Sequence, residues 1–461
     1  MFLSAVEATV VATAMPTVVA DLGGLELYGW VGAAYMLLVT VTIPIWGKLA
    51  DVRGRRPVLL LGIGLFLAGS VCAGLAPSMG ALIAARALQG LGAGAMQPVT
   101  LTIIGDLYSL EERARIQGLF GAVWGGSSLV GPLLGGFIVS VVSWRWVFLL
   151  NVPLGLLSAA LLVRFHREPA RSTSGRRALD VAGAVTLAGA VVATLAAAGG
   201  RAPSLTLPLA CILLAVFAVV ERRAVDPLLP LPLLARPLLR ASAAAGALLG
   251  AVMVGILTFA PLFAQGVLGA SPTTAGTAVA PMLLGWPIAA SLTGRLLPRW
   301  GFRPLARSGL GLVLAGASLV AFAAHQASGV AALRAGAVVA GFGMGLANTS
   351  ITMVVQDSAA HEERGVATAL TVFSRSIGGA LAVGALGALL ALELRGVMTE
   401  RELAALFAEA APRAGGPTPH RAALGAALVH VLDSVAALAA LAALAGFALP
   451  HVKLGPKPAV P

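Results

Sequence analysis

GKLADVRGRRP, residues 47–57, returns as GRLLPRWGFRP at residues 294–304. The two stretches share Gly47/Gly294, Leu49/Leu296, Gly54/Gly301, Arg56/Arg303 and Pro57/Pro304, at an offset of 247 residues. A second echo, DLYSLEER at 106–113 and DSAAHEER at 357–364, runs at an offset of 251, and Gly92 and Gly94 map onto Gly343 and Gly345 at that same 251. Two independent motifs at nearly one spacing indicate a duplicated unit of roughly half the chain.

What surrounds these motifs is apolar. Of 461 residues, 58% are hydrophobic and only 11% charged, with a mean hydropathy of +0.93. A soluble chain carries about 25% charge, so there is too little polar material to coat one or two soluble domains. That excludes a cytosolic enzyme, a secreted disulfide scaffold and a disordered protein. The apolar runs are ~20 residues long and fit ~30 Å of hydrocarbon as helices. Alternation over ~10-residue segments, the mark of a membrane barrel, is absent. Cys72 and Cys211, the only cysteines, lie inside apolar runs and read as packing residues. The opening residues lack a basic segment and a small-residue cleavage site, and read as a first span rather than a signal peptide.

Fourteen candidate spans follow: 2–21, 28–47, 57–75, 79–104, 115–141, 146–163, 181–198, 205–220, 239–264, 273–296, 305–324, 330–355, 365–392 and 423–449. With both termini cytoplasmic, 22 of 31 Lys and Arg residues fall inside, seven fall outside, and Arg86 and Arg375 lie within spans. The net charge of +12 is thus a topology signal and calls for no nucleic acid. The expected architecture is an all-α polytopic membrane protein. Residues 1–165 form an N-terminal six-helix bundle, 166–237 hold linkers and two extra transmembrane helices, and 238–461 form a C-terminal six-helix bundle. Parallel six-helix repeats are a transporter design, with the substrate site near the midplane between the halves.

Several residues stand out physically. Gly47 and Gly54 let the 47–57 loop reverse, Arg55 and Arg56 hold it inside, and Asp51 can accept from a nearby guanidinium, with Arg113 the expected partner in a state-dependent latch. The second copy has Pro298 where Asp51 stands, so the latch is asymmetric. Gly131, Gly135 and Gly136, with Gly118, allow close helix contact along span 5. Pro132 removes a backbone hydrogen bond there, which makes a conformational hinge. Glu7 and Arg86 are charges inside spans, where each costs ~2.5–3.5 kcal/mol to insert, and desolvation of Glu7 suits a proton carrier. Asp433, one turn after His430, is a second acidic candidate near the outer end of the last span. Tyr35, Gln89, Gln97, Trp124 and Asn348 are polar or amphipathic groups on apolar spans and are candidates for a substrate cavity. Gln97 and Asn348 coincide at the 251 offset.

GKLADVRGRRP resembles the signature loop of the major facilitator superfamily. RALQGLGAG at 86–94 resembles the span 4 motif of its proton-coupled members. Gly118 with GPLLGG at 131–136 resembles the span 5 motif of drug:proton antiporters, with Ser127 where a glycine is usual. EATVVATAMP at 7–16 is similar to the span 1 motif of the fourteen-helix antiporters, with Glu7 in place of the commoner Asp. WVGAAYML at 30–37, SWRWVFLLNVPLG at 143–155 and RGVATALTVFSRSIGGA at 364–380 fit the same branch. The resemblance implies the major facilitator fold, proton coupling at Glu7 and Arg86, and export rather than import.

The reading is a proton-coupled exporter of lipophilic compounds, cationic drugs among them, working by alternating access as a monomer in the cytoplasmic membrane. Its partners are protons, a small lipophilic substrate and membrane lipids, and it needs no cofactor, metal or nucleic acid. An exporter of an endogenous lipid, siderophore or metabolite would use the same fold. A polytopic membrane enzyme is the remote alternative. It would cluster reactive side chains at one membrane face, whereas His166, His325, His361, His420, His430 and His451 are scattered along the chain. GLGAGA at 90–95 follows no strand, and no GxxxxGK[ST] is present, so ATP is not the expected driver.

Overall fold

A computed structural model describes residues 10, 11, 14, 15, 17–19, 21–23, 27–165, 180–198, 203–225, 227, 228, 233, 235–360, 362–395, 397 and 419–452. The helices are α1 (Tyr28–Arg53), α2 (Arg55–Gly74), α3 (Met79–Leu107), α4 (Leu110–Val141), α5 (Arg145–Leu149) and α6 (Asn151–Phe165). The extra hairpin is α7 (Val181–Ala198) and α8 (Pro203–Arg223). The second half holds α9 (Pro237–Gly266), α10 (Pro272–Gly276), α11 (Ala280–Trp300), α12 (Phe302–His325), α13 (Val330–Ser358), α14 (Arg364–Leu394) and α15 (Pro419–Phe447). Every predicted span from 28–47 onward is helical, with 146–163 divided between α5 and α6 and 273–296 between α10 and α11, and several helices overrun the prediction at ends where charged residues extend past the apolar stretch. Most of the first predicted span, Glu7 included, lies outside the described residues, as do 398–418. Among the described residues, ten helical spans are long and apolar enough to cross a membrane.

The duplication read from the sequence is visible in the backbone. Gly54, between α1 and α2, has φ +105°, and Gly301, between α11 and α12, has φ +78°. Each amide bonds back to the carbonyl four residues earlier, Gly54 to Ala50 and Gly301 to Leu297, both at 3.0 Å. A side chain at either place would be strained, so the shared glycines mark the two reversals. The alternating glycines repeat in the same way. Gly90 and Gly94 of α3 press on Tyr35, Val39 and Thr42 of α1, and Gly92 presses on Gly62 and Phe66 of α2. In the second half Gly341 and Gly345 of α13 press on Met282, Trp286 and Ala289 of α11, and Gly343 presses on Gly309 and Val313 of α12. Each inner helix is therefore wedged between two neighbours by glycines on two flanks, which admits backbone-to-backbone approach where lipid supplies no hydrophobic drive.

This wedge makes a stability prediction. A methyl group at Gly343 would sit 2.6 Å from the Gly309 carbonyl oxygen and 2.6 Å from the Val313 nitrogen, both rigid backbone. Gly343→Val should lower the melting midpoint in detergent, at a cost of roughly 1–3 kcal/mol or more. Gly311→Val, where nothing lies within 4 Å, should melt like the parent. Equal midpoints for the two variants would refute the close-packing account.

Between the halves, α1 packs against α14 and α4 against α11. The duplication exchanges these two seams, since α1 corresponds to α11 and α4 to α14. Ile43 and Leu101 of the first bundle are buried together with Ala369 and Val372 of the second. The extra hairpin breaks this two-fold relation: α7 lies against both α14 and α1, so it covers one seam. Its partner α8 exposes Leu205, Leu207, Leu209 and Ile212, a surface suited to lipid rather than water. Two arginines tie off bundle ends in parallel fashion. Arg56 donates to the Val163 carbonyl at 2.8 Å, near the end of α6, and Arg307 donates to the Gly446 and Phe447 carbonyls at 3.0 Å, at the end of α15.

Candidate functional site

The two halves are joined most specifically at the basic end of the molecule, where Lys48, Arg53, Arg55, Arg56, Arg113 and Arg364 gather. Asp51, in the last turn of α1, is buried and accepts two hydrogen bonds from the first turn of α14. Gly365 N lies 2.9 Å from its Oδ1 and Val366 N 2.7 Å from its Oδ2. A helix N-terminus presents unsatisfied amides and the positive end of its dipole, so a carboxylate is well matched there. Arg55, one turn on, lies 3.2 Å from Asp51 and 3.2 Å from Asp106 at the end of α3. Arg364 of the second half pairs with the same Asp106 and donates to the Gly105 carbonyl at 3.2 Å. Gln356 of α13 donates to the Leu101 carbonyl of α3 at 3.0 Å.

Arg113 is in this cluster, though not as the partner of Asp51. Its guanidinium donates to the carbonyls of Gly105 and, at 2.8 Å, Tyr108, which closes the end of α3 within its own half. Its repeat mate Arg364 makes the corresponding bond to the Gln356 carbonyl at 3.0 Å, eight residues back in both copies. The carbonyls are closer along the chain and already oriented, so they capture Arg113 ahead of Asp51. Arg56 donates to the end of α6. Glu112, exposed beside Arg113, accepts from the Ser109 amide and hydroxyl, and these bonds hold its carboxyl below the usual range.

Small residues bring the seams into contact just inside the basic end. A methyl group at Gly47 would overlap the Ala369 Cβ and sit 2.9 Å from the Gly365 carbonyl oxygen. At the other seam, one at Gly118 would overlap the Ser291 hydroxyl and sit 3.1 Å from the Pro287 carbonyl oxygen. Asp51 has no acidic mate there, because Pro298 takes its place. The Asp51 contact thus serves the α1–α14 seam while close packing serves both.

Arg86 occupies a different place, inside the wall of the first bundle. Its guanidinium stacks 4.1 Å above the Tyr35 ring, donates to Gln89 Oε1 at 2.6 Å and to the Val31 carbonyl at 3.3 Å. Gln89 passes the network on to Ser70 Oγ at 2.8 Å, which also meets Asn151 Nδ2 at 3.4 Å. Gln89 is 0% exposed and Tyr35 is 4% exposed. Both were expected on a cavity surface; both are instead spent on satisfying Arg86 between α1, α2, α3 and α6. An unpaired buried group would cost about 1–3 kcal/mol, and these bonds satisfy Gln89 and part of the Arg86 fork.

Gln97 and Asn348 do reach partly accessible positions, at equal depth in the two halves. Asn348 Oδ1 accepts from Arg375 Nη1 at 2.9 Å. Asp433 pairs with His325 Nε2 at 3.0 Å at the far end of α12. His430, the neighbour expected from the sequence, pairs instead with Glu393 at 3.2 Å. α4 runs unbroken from Leu110 to Val141, through the whole predicted hinge. Gly135 is buried; the surroundings of Trp124, Gly131, Pro132 and Gly136, like Glu7 itself, lie outside the described residues. Asp106, Gln356, Arg364, Gly365 and Val366 were not expected in the junction. The 251 offset could have pointed to Arg364, as the mate of Arg113, and to Asp106, whose mate is Asp357.

Two repeated helical bundles, joined at one end by a cluster of ion pairs and hydrogen bonds and built from apolar spans, define a membrane transporter. The Major Facilitator Superfamily family model matches residues 1–383, and the chain belongs to that superfamily. It is similar to the Multidrug transporter protein MdtP of Bacillus subtilis, 36% identical over 410 residues, covering 87% of this chain and 75% of that one. Multidrug resistance protein 3 of the same organism is 35% identical over 396 residues, covering 84% and 77%. Among solved structures, that of the human organic anion transporter MFSD10 shares the fold, with a TM-score of 0.65 at 18% identity over 97% of each chain.

Proposed function

We propose that the protein is a proton-coupled exporter of lipophilic compounds that works by alternating access. The observation that carries this reading is the basic-end junction, where Asp51, Arg55, Asp106 and Arg364 bridge the halves through bonds that can be made and broken as a unit. The Lys and Arg bias supports a cytoplasmic position for that end, and the arrangement then has its inner gate shut. Residues 1–165 and 238–461 rock as two bodies, with 166–237 carrying the linkers and the extra pair. The relatives named as multidrug proteins support a drug-like cargo. Glu7 carries the proton, and Arg86, held at fixed position by Gln89 and Tyr35, biases its release. The protein acts as a monomer in the cytoplasmic membrane.

The test is ethidium movement in proteoliposomes under an imposed pH gradient, comparing the parent with Glu7→Gln. Gradient-driven accumulation lost in the variant is the expected result. Accumulation that persists in Glu7→Gln would remove Glu7 from the coupling. No ethidium movement by the parent would sink the drug-export reading and favour an endogenous lipid or metabolite as cargo.

A further inference from the structure

We propose that Arg375 and Asn348 form an anion-binding subsite at mid-membrane, and that the exported compounds include ones that join an apolar body to a carboxylate, sulfonate or phosphate group. The proposal deepens the export reading and rests on it for the identity of the cargo. Arg375 lies eleven residues into α14, ~16 Å from its basic end, and Asn348 lies ten residues from the end of α13, ~15 Å up. A guanidinium at that depth is expensive and needs a reason. The buried arginines of the junction and the first bundle have one: Arg55 and Arg364 face Asp106, Arg113 faces two carbonyls, and Arg86 faces a ring, an amide and a carbonyl. Among the described residues no carboxylate pairs with Arg375, and its side chain is bound by the neutral amide of Asn348.

The chemistry left over is specific. A guanidinium offers five N–H donors in a planar fork, and Asn348 takes one of them. The remaining edge matches an oxyanion in a two-pronged bond, and the Asn348 amide, oriented by Arg375, has N–H groups of its own to add. Gly250 lets α9 approach α14 backbone to backbone at this level, because a methyl group there would overlap the Arg375 carbonyl oxygen. Both residues are half-buried, unlike the fully buried Gln89. On the opposing half, the 251 offset sets Gln97 against Asn348 and Trp124 against Arg375. One wall therefore carries a fixed positive charge, and the other carries none at the corresponding position.

The experiment uses two fluorescent probes with one apolar body and opposite heads, pyrenebutyrate and pyrenebutyltrimethylammonium, titrated into the purified full-length protein in detergent. The parent should bind the butyrate more tightly than the ammonium. Arg375→Gln should weaken butyrate binding at least about tenfold, Arg375→Lys should keep most of it, and neither should weaken the ammonium. Should Arg375→Gln fail to fold, Asn348→Leu should weaken the butyrate selectively. Equal butyrate affinity in parent and Arg375→Gln, or no butyrate binding by the parent, would overturn the subsite. Binding is read here without a gradient or turnover, so this outcome is independent of whether ethidium is driven by protons.

Discussion

Asp51→Ala should swing the protein towards a state open at the basic end. The substitution deletes both acceptors that hold the first turn of α14, at 2.9 and 2.7 Å, and the ion pair with Arg55 at 3.2 Å. Hydrogen bonds to a charged group contribute roughly 1.5–3 kcal/mol each, so losing two removes ~3–6 kcal/mol from one side of the equilibrium. At ~1.4 kcal/mol per decade, the populations shift by roughly a hundredfold to ten-thousandfold. Arg55 keeps Asp106 as partner, so the variant leaves no buried arginine bare and should remain folded. The measurement is a spin-label distance between positions 107 and 362, both exposed and on opposite halves at this end. A distribution moved to longer distances is expected, with transport reduced by more than about tenfold because the cycle stalls on one side. An unchanged distribution would show that Asp51 does not hold the halves together.

Gly47→Leu should open the same end by steric means. The added side chain would overlap Ala369 and crowd the Gly365 carbonyl oxygen, 2.9 Å from the first new carbon. Overpacking a tight contact costs about 1–3 kcal/mol when the structure cannot yield. A two-state protein can yield, by separating α1 from α14. The label pair at 107 and 362 should therefore lengthen as in Asp51→Ala, with the Asp51 carboxylate still present. A compensating pair sharpens the test: Gly47→Ala alone should lengthen the distance, and Gly47→Ala with Ala369→Gly should restore part of the parent distribution. Failure of the second change to restore anything would place the crowding elsewhere, at the Gly365 backbone.

These two variants act on one contact by different physics, and together they separate charge from shape. The seam between α4 and α11 offers a control, since it closes on Gly118, Ser291 and Pro287 with no corresponding carboxylate. The extra hairpin adds another asymmetry by resting on α1 and α14, so the latch and the cover both belong to one of the two seams.

The architecture was legible because bilayer physics writes it into composition. Apolar runs of bilayer length, punctuated by Arg and Pro, marked the helices, and the 247 and 251 offsets marked the duplication. Gly54 and Gly301 were legible for a local reason, since a positive φ selects glycine wherever it falls. The site was less legible. Asp51 was recognised as an acceptor, but its donors are backbone amides 314 and 315 positions away, and an amide is carried by nearly every residue type. Arg113 was placed in the right cluster with the wrong partner, because two carbonyls of the adjacent helix end lie within its reach. Gln89 and Tyr35 were read as cavity groups from polarity alone, and polarity does not say which flank of a helix meets another helix.

The sequence by itself determined the membrane class, the span positions from residue 28 onward, the two-fold repeat and the turn that carries Asp51, because each depends on local composition or spacing. Only the tertiary structure decided who meets whom: that Asp51 caps α14, that Asp106 gathers Arg55 and Arg364, that Gln89 is spent on Arg86, and that Arg375 is left with a neutral amide. Those outcomes turn on distances of a few ångströms between segments far apart in the chain. There a single glycine or a helix end chooses among chemically equivalent partners.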